Sequence, residues 1–411
     1  MMGPSERPST SLGTSEVGEG IVRVAARGDG VTASGRHVPF AAPGDLLQPD
    51  GTLTPGPHHA APPCRHFPEC GGCQLQHLDD AAFAGFVADR IAAALAAQDL
   101  VAPDIRPAHV SPPNSRRRAA LRAEARGRQL LLGFNAEKSH RIVDMRECHI
   151  LRPELFALVA PLRALLGTLL GARGSGGVRM TLADQGPDIL LEKVAVEGLA
   201  ATEALAAFAE THGLARLAVD DGYGPQTRWE PEPVTVILGG VPVPLPHGAF
   251  LQATVDGEAA LVAAVREAIG PARAVADLFA GLGTFALSVD ARVLAVEGAR
   301  DAALALKSAA NRAQRLVAVE HRDLFRRPLD EKELGRFEAL ILDPPRAGAR
   351  EQVEAIARSA VPRLAYVSCN PSTFARDAKT LADSGFRLDW VQPVGQFRWS
   401  THVELAAAFS R

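Results

Sequence analysis

The stretch that decides the fold is Ala276-Asp277-Leu278-Phe279-Ala280-Gly281-Leu282-Gly283-Thr284. It reads as an apolar strand that runs into a glycine-rich turn, and a helix is expected after the turn. Glycines let the backbone approach a ligand closely, and a helix N-terminus offers free N–H groups. Taken alone, the pattern is typical of any nucleotide site or of a tight structural turn.

The sequence that follows favours a ligand site, because more strands alternate with helical segments. The predicted strands cover residues 274–279, 293–297, 339–342 and 364–368. This alternation indicates parallel βαβ units in an open, doubly wound sheet. Such sheets bind ligands at the carboxyl ends of their strands.

Two acidic residues fall at that edge. Glu297 ends the second strand, where its carboxylate could accept hydrogen bonds from ribose hydroxyls or simply be solvated. Asp343 begins the segment Asp343-Pro344-Pro345-Arg346, which follows the third strand. This segment either forms a rigid edge of the ligand site or is an ordinary turn that ends the strand. Because the turn lacks a third phosphate-spacing glycine, the pattern favours S-adenosylmethionine over a dinucleotide.

A thiol ends the fourth strand, in Ser368-Cys369-Asn370-Pro371. A lone cysteine there is more often a small buried hydrophobe, but a helix starting near Ser372 is expected to depress the pKa of this thiol. A thiolate can attack C6 of uracil, which makes C5 nucleophilic toward a methyl group. The C5 proton then needs a base, and Glu404 is the candidate; a solvated or ion-paired role is the alternative.

The chain has 411 residues and a net charge of −3, so two or three domains and only local basic surfaces are expected. One segment, 115–141, holds eight basic residues against two acidic ones. The basic residues are Arg116, Arg117, Arg118, Arg122, Arg126, Arg128, Lys138 and Arg141. This segment is either a phosphate-binding face for RNA or a solvated strand pair.

The domain organisation is predicted from composition and turn spacing. Residues 1–16 read as a disordered tail, and 17–62 as a short β-barrel or a meandering arm. Residues 63–248 form an α+β central domain, in which a segment around 76–107 is a candidate for packing on the catalytic domain, 249–411. No secretory signal or membrane span is expected, so the protein is placed in the cytoplasm, as a monomer.

Four of the five cysteines are Cys64, Cys70, Cys73 and Cys148. Three clustered thiols and a distant fourth can enclose zinc or an iron-sulfur cluster, or they can be unrelated structural cysteines. The asymmetric arrangement differs from the paired Cys-x2-Cys spacing of zinc ribbons and favours a [4Fe-4S] cluster.

Together these motifs resemble the iron-sulfur-containing RNA (uracil-5-)-methyltransferases, of the 23S rRNA 5-methyluridine type. Phe250-Leu251-Gln252 matches a further family motif. The resemblance implies a Rossmann-like class I methyltransferase domain, a central domain carrying the cluster on those four cysteines, and an N-terminal TRAM/OB-like barrel that is short here. It also implies Cys369 as nucleophile, Glu404 as base, and a set of residues for S-adenosylmethionine: Gln252, Phe279, Thr284, Glu297, Asp323 and Asp343.

The implied function is C5-methylation of a uridine in RNA, with 23S rRNA favoured (a 1939-type or 747-type site). One alternative is a tRNA methyltransferase of the uracil-54 type. Another is a non-catalytic iron-sulfur RNA-binding factor, and a third is a methyltransferase that acts on another base or a small molecule. The cluster is expected to be structural or to aid RNA binding, because methyl transfer needs no electron. The target base is expected to flip out of its stack.

Overall fold

A computed structural model describes residues 18–411. The predicted tail, 1–16, lies outside these residues. The described chain forms a small N-terminal sheet, a central α+β unit and a large α/β unit that carries the glycine-rich turn.

The N-terminal unit is a curled antiparallel sheet that fits a barrel. Its strands are β1 (Glu19–Val24), β2 (Gly30–Thr32), β3 (His37–Val38), β4 (Leu46–Leu47) and β5 (Leu53–Thr54), in the order β3-β2-β1-β4-β5. The last strand lies in a stretch whose proline and glycine content suggests a domain boundary. Asp45 fixes this end of the sheet, because its buried carboxylate accepts from the backbone N–H groups of Ala42 and Gly56, both at 2.7 Å.

The segment that follows packs on the α/β unit. Helix α1 (Asp80–Ala96) begins where the Asp79 side chain accepts from the Ala82 N–H, and strand β6 (His109–Val110) pairs with the edge of the large sheet. Phe83 and Ile91 of α1 are fully buried in the core of that unit.

The central unit is a six-stranded sheet with three helices. Its elements are β7 (Arg118–Arg126), β8 (Gln129–Gly133), α2 (Pro153–Phe156), α3 (Val159–Leu169), β9 (Ser175–Ala183), β10 (Gly186–Glu192), α4 (Gly198–Thr211), β11 (Arg216–Asp220) and β12 (Gln226–Trp229). The strand order is β12-β11-β10-β9-β7-β8, and only the β10–β11 pair is parallel. Leu162, Leu205 and Leu217 are buried between helices and sheet.

A hairpin, β13 (Thr235–Leu238) and β14 (Val241–Pro244), leads into the large unit. Its elements are α5 (Val255–Ile269), β15 (Ala274–Leu278), β16 (Arg292–Glu297), α6 (Arg300–Arg312), β17 (Val317–His321), α7 (Glu331–Leu334), β18 (Ala339–Leu342), α8 (Arg350–Arg358), β19 (Arg363–Ser368), α9 (Pro371–Asp383), β20 (Arg387–Gly395) and β21 (Glu404–Ser410). The strand order is β17-β16-β15-β18-β19-β21-β20-β6.

Strands β15 to β19 are parallel, and β21 inserts antiparallel beside β19. Both faces of the sheet are covered, since Leu340 and Leu342 of β18 enter one core while Ala339 and Ile341 enter the other. This is the open, doubly wound sheet that the strand pattern predicts. Among residues 18–411, no helix combines the length and apolar character needed to cross a bilayer.

Candidate active site

The predicted site residues meet at one edge of the large sheet. Phe279 follows β15, Glu297 ends β16, Asp343 follows β18, and Cys369 follows β19. Glu404 opens β21, whose antiparallel register with β19 sets Leu405 opposite Ser368 and so brings Glu404 beside the thiol. The carboxyl ends of the parallel strands therefore collect a thiol and three carboxyl groups.

The glycine-rich turn is held by Glu297. Its carboxylate accepts from the backbone N–H of Gly281 at 2.7 Å and of Ala299 at 2.6 Å. Phe279 has a left-handed backbone, with φ of 65°, and its ring lies 5.3 Å from that of Phe325. Left-handed non-glycine residues are uncommon and often mark functional sites.

The predicted helix after the turn is wrong: residues 281–288 form successive turns. Asp277 stabilises them, because its fully buried carboxylate accepts from the Ala286 N–H at 2.9 Å. Gly283 has φ of 93°, and a Cβ there would lie 2.3 Å from Cδ1 of Leu306. Glycine is thus required at position 283, because the backbone has a positive φ there and because Leu306 of α6 leaves no room for a Cβ.

Two further predicted cofactor residues flank the turn. Thr284 lies within the successive turns, where its carbonyl accepts from the Ser288 hydroxyl at 2.6 Å. Asp323 is exposed after β17, and its carboxylate accepts from the Phe325 N–H at 3.0 Å.

Gln252 lies away from the turn and next to the base candidate. It is 4 % exposed, and its side-chain oxygen accepts from the Gln396 amide at 2.7 Å. The Gln396 oxygen accepts in turn from the Ala253 N–H at 2.8 Å. A hydrogen bond donated by the Gln396 side chain lowers the pKa of Glu404. Gln396 is a site residue that the sequence does not reveal, because its partners lie more than 140 residues away in the chain.

Burial dominates the electrostatics of the site. It raises the pKa of Glu404 to about 8, with help from the charge of Asp343, and it raises the pKa of Asp343 to about 7. The pKa of Cys369 rises to about 11, through burial first and then through the charges of Glu404 and Asp343.

The predicted depression of the Cys369 pKa is therefore wrong. Helix α9 does begin at Pro371, with Asn370 as its N-cap. Its favourable field is outweighed by desolvation and by two carboxyl groups that come from distant parts of the chain. At a pKa of about 11, Cys369 is a thiol near neutral pH.

A cavity of about 860 Å³ opens over Cys369 and Glu404, between the large and central units. Arg116, Arg122 and Lys138 of the basic segment line its opposite wall. The structure thus brings the predicted basic face and the predicted reactive pair to one cavity.

Arg118, next to this wall in the chain, acts on Glu404 through its charge. Its guanidinium carbon lies 4.2 Å from the ring centroid of Phe250, an aromatic residue that lines the cavity. Burial and the charge of Arg116 lower the pKa of Arg118 to about 10, and Arg118 lowers the pKa of Glu404. The carboxyl group predicted to be the base therefore lies near a partly desolvated cation.

The four remaining cysteines line a second, smaller cavity of about 20 Å³. Cys64, Cys70, Cys73 and Cys148 are all free thiols, and burial raises each pKa, to about 12 for Cys73. Within residues 18–411, no three His, Cys, Asp or Glu side chains converge closely enough to hold a single metal ion.

Comparison with known proteins places these features in a family. The model of the tRNA (uracil-5-)-methyltransferase family matches residues 259–411. An RNA methyltransferase of Zymomonas mobilis is 56 % identical over 95 % of this chain and 99 % of its own length. The 23S rRNA (uracil(1939)-C(5))-methyltransferase of Pectobacterium atrosepticum is 32 % identical over 87 % of this chain and 81 % of its own length.

One solved structure resembles the whole chain. It is the tRNA (uracil-54, C5)-methyltransferase of Pyrococcus abyssi in complex with S-adenosyl-L-homocysteine, with a TM-score of 0.71 and 21 % identity. The match covers 95 % of this chain and 99 % of that one. At this identity the likeness establishes the fold.

Proposed function

The chain belongs to the RNA (uracil-5-)-methyltransferase family, and from that premise we propose that Cys369 and Glu404 carry out C5-methylation of a uridine in 23S rRNA. The observation that supports this most is the adjacency of a thiol and a buried carboxyl group under a basic cavity of about 860 Å³. A cavity of that size can take a flipped nucleotide.

The chemistry requires both side chains. The Cys369 thiol first loses its proton to solvent, and the thiolate forms a bond to C6 while the C5=C6 electrons move toward O4. C5 then forms a bond to the incoming methyl group, whose bond to the donor sulfur breaks with its electrons left on that sulfur. Glu404 as a carboxylate takes the C5 proton, the C5=C6 bond reforms, and the Cys369 thiolate leaves. The net change replaces a proton by a methyl group.

The sheet edge fits S-adenosylmethionine, which supplies an electrophilic methyl group on a positively charged sulfur. The buried, acidic character of the edge suits a cation, since Asp343 and Glu297 lie together there. We assign Glu297 and Asp343 to binding the donor, and Phe279 to contacting it from the left-handed turn. Gln252, Thr284 and Asp323 complete the proposed set.

A covalent adduct tests this mechanism. RNA containing 5-fluorouridine presents no removable C5 proton, so the wild type should remain bonded to it and survive denaturing electrophoresis. Cys369→Ala should form no adduct and no 5-methyluridine. A wild type that methylates RNA without ever forming this adduct contradicts the thiol mechanism.

The assignment to 23S rRNA rests on the Pectobacterium relative, which matches most of both chains. The Pyrococcus tRNA enzyme shares the fold at lower identity. Mass spectrometry of rRNA and tRNA from a deletion strain should show loss of one 5-methyluridine in 23S rRNA. Loss from tRNA instead would reassign the substrate, and no loss would favour a non-catalytic RNA-binding factor.

We propose that the basic wall binds RNA phosphates. Arg122 lines the cavity, whereas Arg128, at the turn of the same hairpin, does not. Arg122→Ala should weaken RNA binding and reduce the slope of log K against log salt by about 1. Arg128→Ala is the matched control. Equal effects of the two variants would mean a diffuse charge effect instead of a defined phosphate contact.

We propose that Cys64, Cys70, Cys73 and Cys148 hold a [4Fe-4S] cluster. The donor set fits, because four free thiols surround one cavity and a cluster needs ligands spread around it. Anaerobic reconstitution should give four irons per chain and a broad absorption that Cys73→Ser weakens. Binding of one zinc ion with no sulfide would replace the cluster by a zinc site.

A further inference from the structure

The loop before the proposed base is anchored to the cysteine site. Residues 396–403 connect β20 to Glu404 at the start of β21. The carbonyl of Trp399, in the middle of this loop, accepts from the backbone N–H groups of Gln74 and Leu75 at 2.8 and 2.9 Å. These two residues directly follow Cys73. The cysteine loop, which carries Cys64, Cys70 and Cys73, is therefore hydrogen-bonded through its backbone to the loop that precedes Glu404.

Side chains strengthen the same contact. The Trp399 ring is 7 % exposed and packs in one apolar cluster with Cys73 and Ile150, against which Cys148 also packs. The Gln74 amide donates to the carbonyl of Gly71, inside the cysteine loop, at 2.8 Å. Two of the four cysteines therefore contact the loop that ends at the base.

Trp399 adopts a conformation that needs this support. Its φ is 59°, in the left-handed region that residues with a side chain rarely occupy. Such a conformation persists when surrounding contacts determine it, and here two N–H donors and the buried ring do so. The loop also supports this conformation itself, because the Ser400 N–H donates to the Phe397 carbonyl at 2.9 Å across a turn and the Arg398 guanidinium carbon lies 4.7 Å from the centroid of the Trp399 ring. The contacts with the cysteine loop add support from outside residues 396–403.

The anchored loop forms much of the catalytic wall. Phe397, Ser400 and His402 line the cavity above Cys369. Gln396, at the start of the loop, hydrogen-bonds the Glu404 carboxyl group, and Glu404 follows its end. A shift of the loop therefore acts on Glu404 through Gln396 and through the peptide that precedes Glu404, although Glu404 also pairs with Val394 of β20. Cys369 directly follows β19 and lies outside this loop.

We propose that Trp399 is a positioning residue through which the four-cysteine site sets the location of Glu404, so that this site controls removal of the C5 proton. The inference rests on the proposed roles of Cys369 and Glu404. It gives the cysteine site a task that needs no electron transfer. Attack at C6 and methyl transfer depend mainly on the sheet edge, so we expect weakening of the anchor to affect them much less than removal of the C5 proton.

The test is Trp399→Ala, with Trp390→Ala as matched control. Trp390 lies on β20 of the same sheet, where its ring stacks under Arg106 at 3.8 Å, away from the cysteine site. With ordinary uridine RNA, Trp399→Ala should lower kcat about tenfold or more while KM changes less than twofold. A methylated protein–RNA adduct should accumulate, visible by denaturing electrophoresis and by its mass, because attack precedes the lost step.

A second readout does not depend on activity. If the contact is mutual, Trp399→Ala should also release reconstituted iron to a chelator several times faster than the wild type or Trp390→Ala. Where the alanine variant does not fold, Gln74→Ala removes the side-chain bond to Gly71 and should act in the same direction, more weakly.

The inference is overturned if Trp399→Ala and Trp390→Ala behave alike, or if kcat falls without adduct accumulation. Failure of the proposed function looks different. There the wild type itself forms no adduct with 5-fluorouridine RNA, whatever the tryptophan variants do.

Discussion

Replacing Glu404 by glutamine should make the Cys369 thiol more reactive while it abolishes turnover. The Cys369 pKa is about 11, and the Glu404 charge is its second cause after burial. The pKa of Glu404 is about 8, so that charge is present above pH 8 and mostly absent below it. The variant should therefore differ from the wild type in thiol reactivity only above about pH 8.

The remaining causes of the raised Cys369 pKa limit how much the alkylation rate can increase. At pH 9, a pKa of about 11 leaves about 1 % of the wild-type thiol ionised. Burial keeps the pKa of the variant above the ordinary value for a thiol, 9.0, so at most about half is ionised. Alkylation at pH 9 should thus rise several-fold and by no more than about 50-fold.

Turnover should move in the opposite direction. Loss of a general base typically costs a factor of about 10² to 10⁴, and the methylated adduct should accumulate. In the wild type, the rate of adduct formation should rise with pH from 6 to 9, because the thiolate fraction grows about tenfold for each pH unit below the pKa.

The assay is iodoacetamide alkylation of the Cys369 peptide, followed by mass spectrometry between pH 6 and 10, together with methyl incorporation into RNA. Glu338→Gln is the control, because Glu338 is exposed at the opposite end of β18. An unchanged alkylation profile above pH 8 would refute the electrostatic coupling. Turnover within tenfold of the wild type would refute the role of Glu404 as base.

Two substitutions test the frame around the site by thermal or urea unfolding. Gly283→Ala should lower the free energy of unfolding by about 2–4 kcal/mol, because position 283 has a positive φ and its Cβ would collide with buried Leu306. The control Gly281→Ala, whose Cβ meets nothing within 4 Å, should lower it by about 1 kcal/mol. Equal losses in the two variants would contradict the steric argument. Arg117→Met should cost about 3–5 kcal/mol, because it leaves the buried carboxylate of Glu258, now 2.6 Å from the guanidinium, without its partner. A cost below about 1 kcal/mol would mean that this pair is solvated.

The strands that carry the site could be predicted closely from sequence. Strands buried on both faces read as continuous apolar runs, and the predicted 339–342 coincides with β18. Strand β17 escaped prediction, because it lies at the sheet edge and Val317–His321 is only partly buried. Its pattern is therefore weaker, although Asp323, two residues after it, is among the predicted cofactor residues.

The electrostatics and the loop contacts could not be predicted. The Cys369 pKa depends on Glu404 and Asp343, which only the sheet topology brings near the thiol. Sequence shows the local helix start after Cys369 but not these distant charges. The anchoring of Trp399 by Gln74 joins residues more than 300 positions apart, and no local pattern marks it.

The raised pKa values of the site also favour the entry of an RNA substrate. With pKa values of about 8 and 11, the side chains of Glu404 and Cys369 are mostly uncharged near neutral pH. The opposite wall carries Arg116 and Arg122. A polyanion can therefore enter without repulsion from the groups that will act on it, even though the protein as a whole is slightly acidic. The same burial that suppresses the charges makes each one costly to form, so we expect ionisation of Cys369 to limit adduct formation and to be the step that responds most to pH.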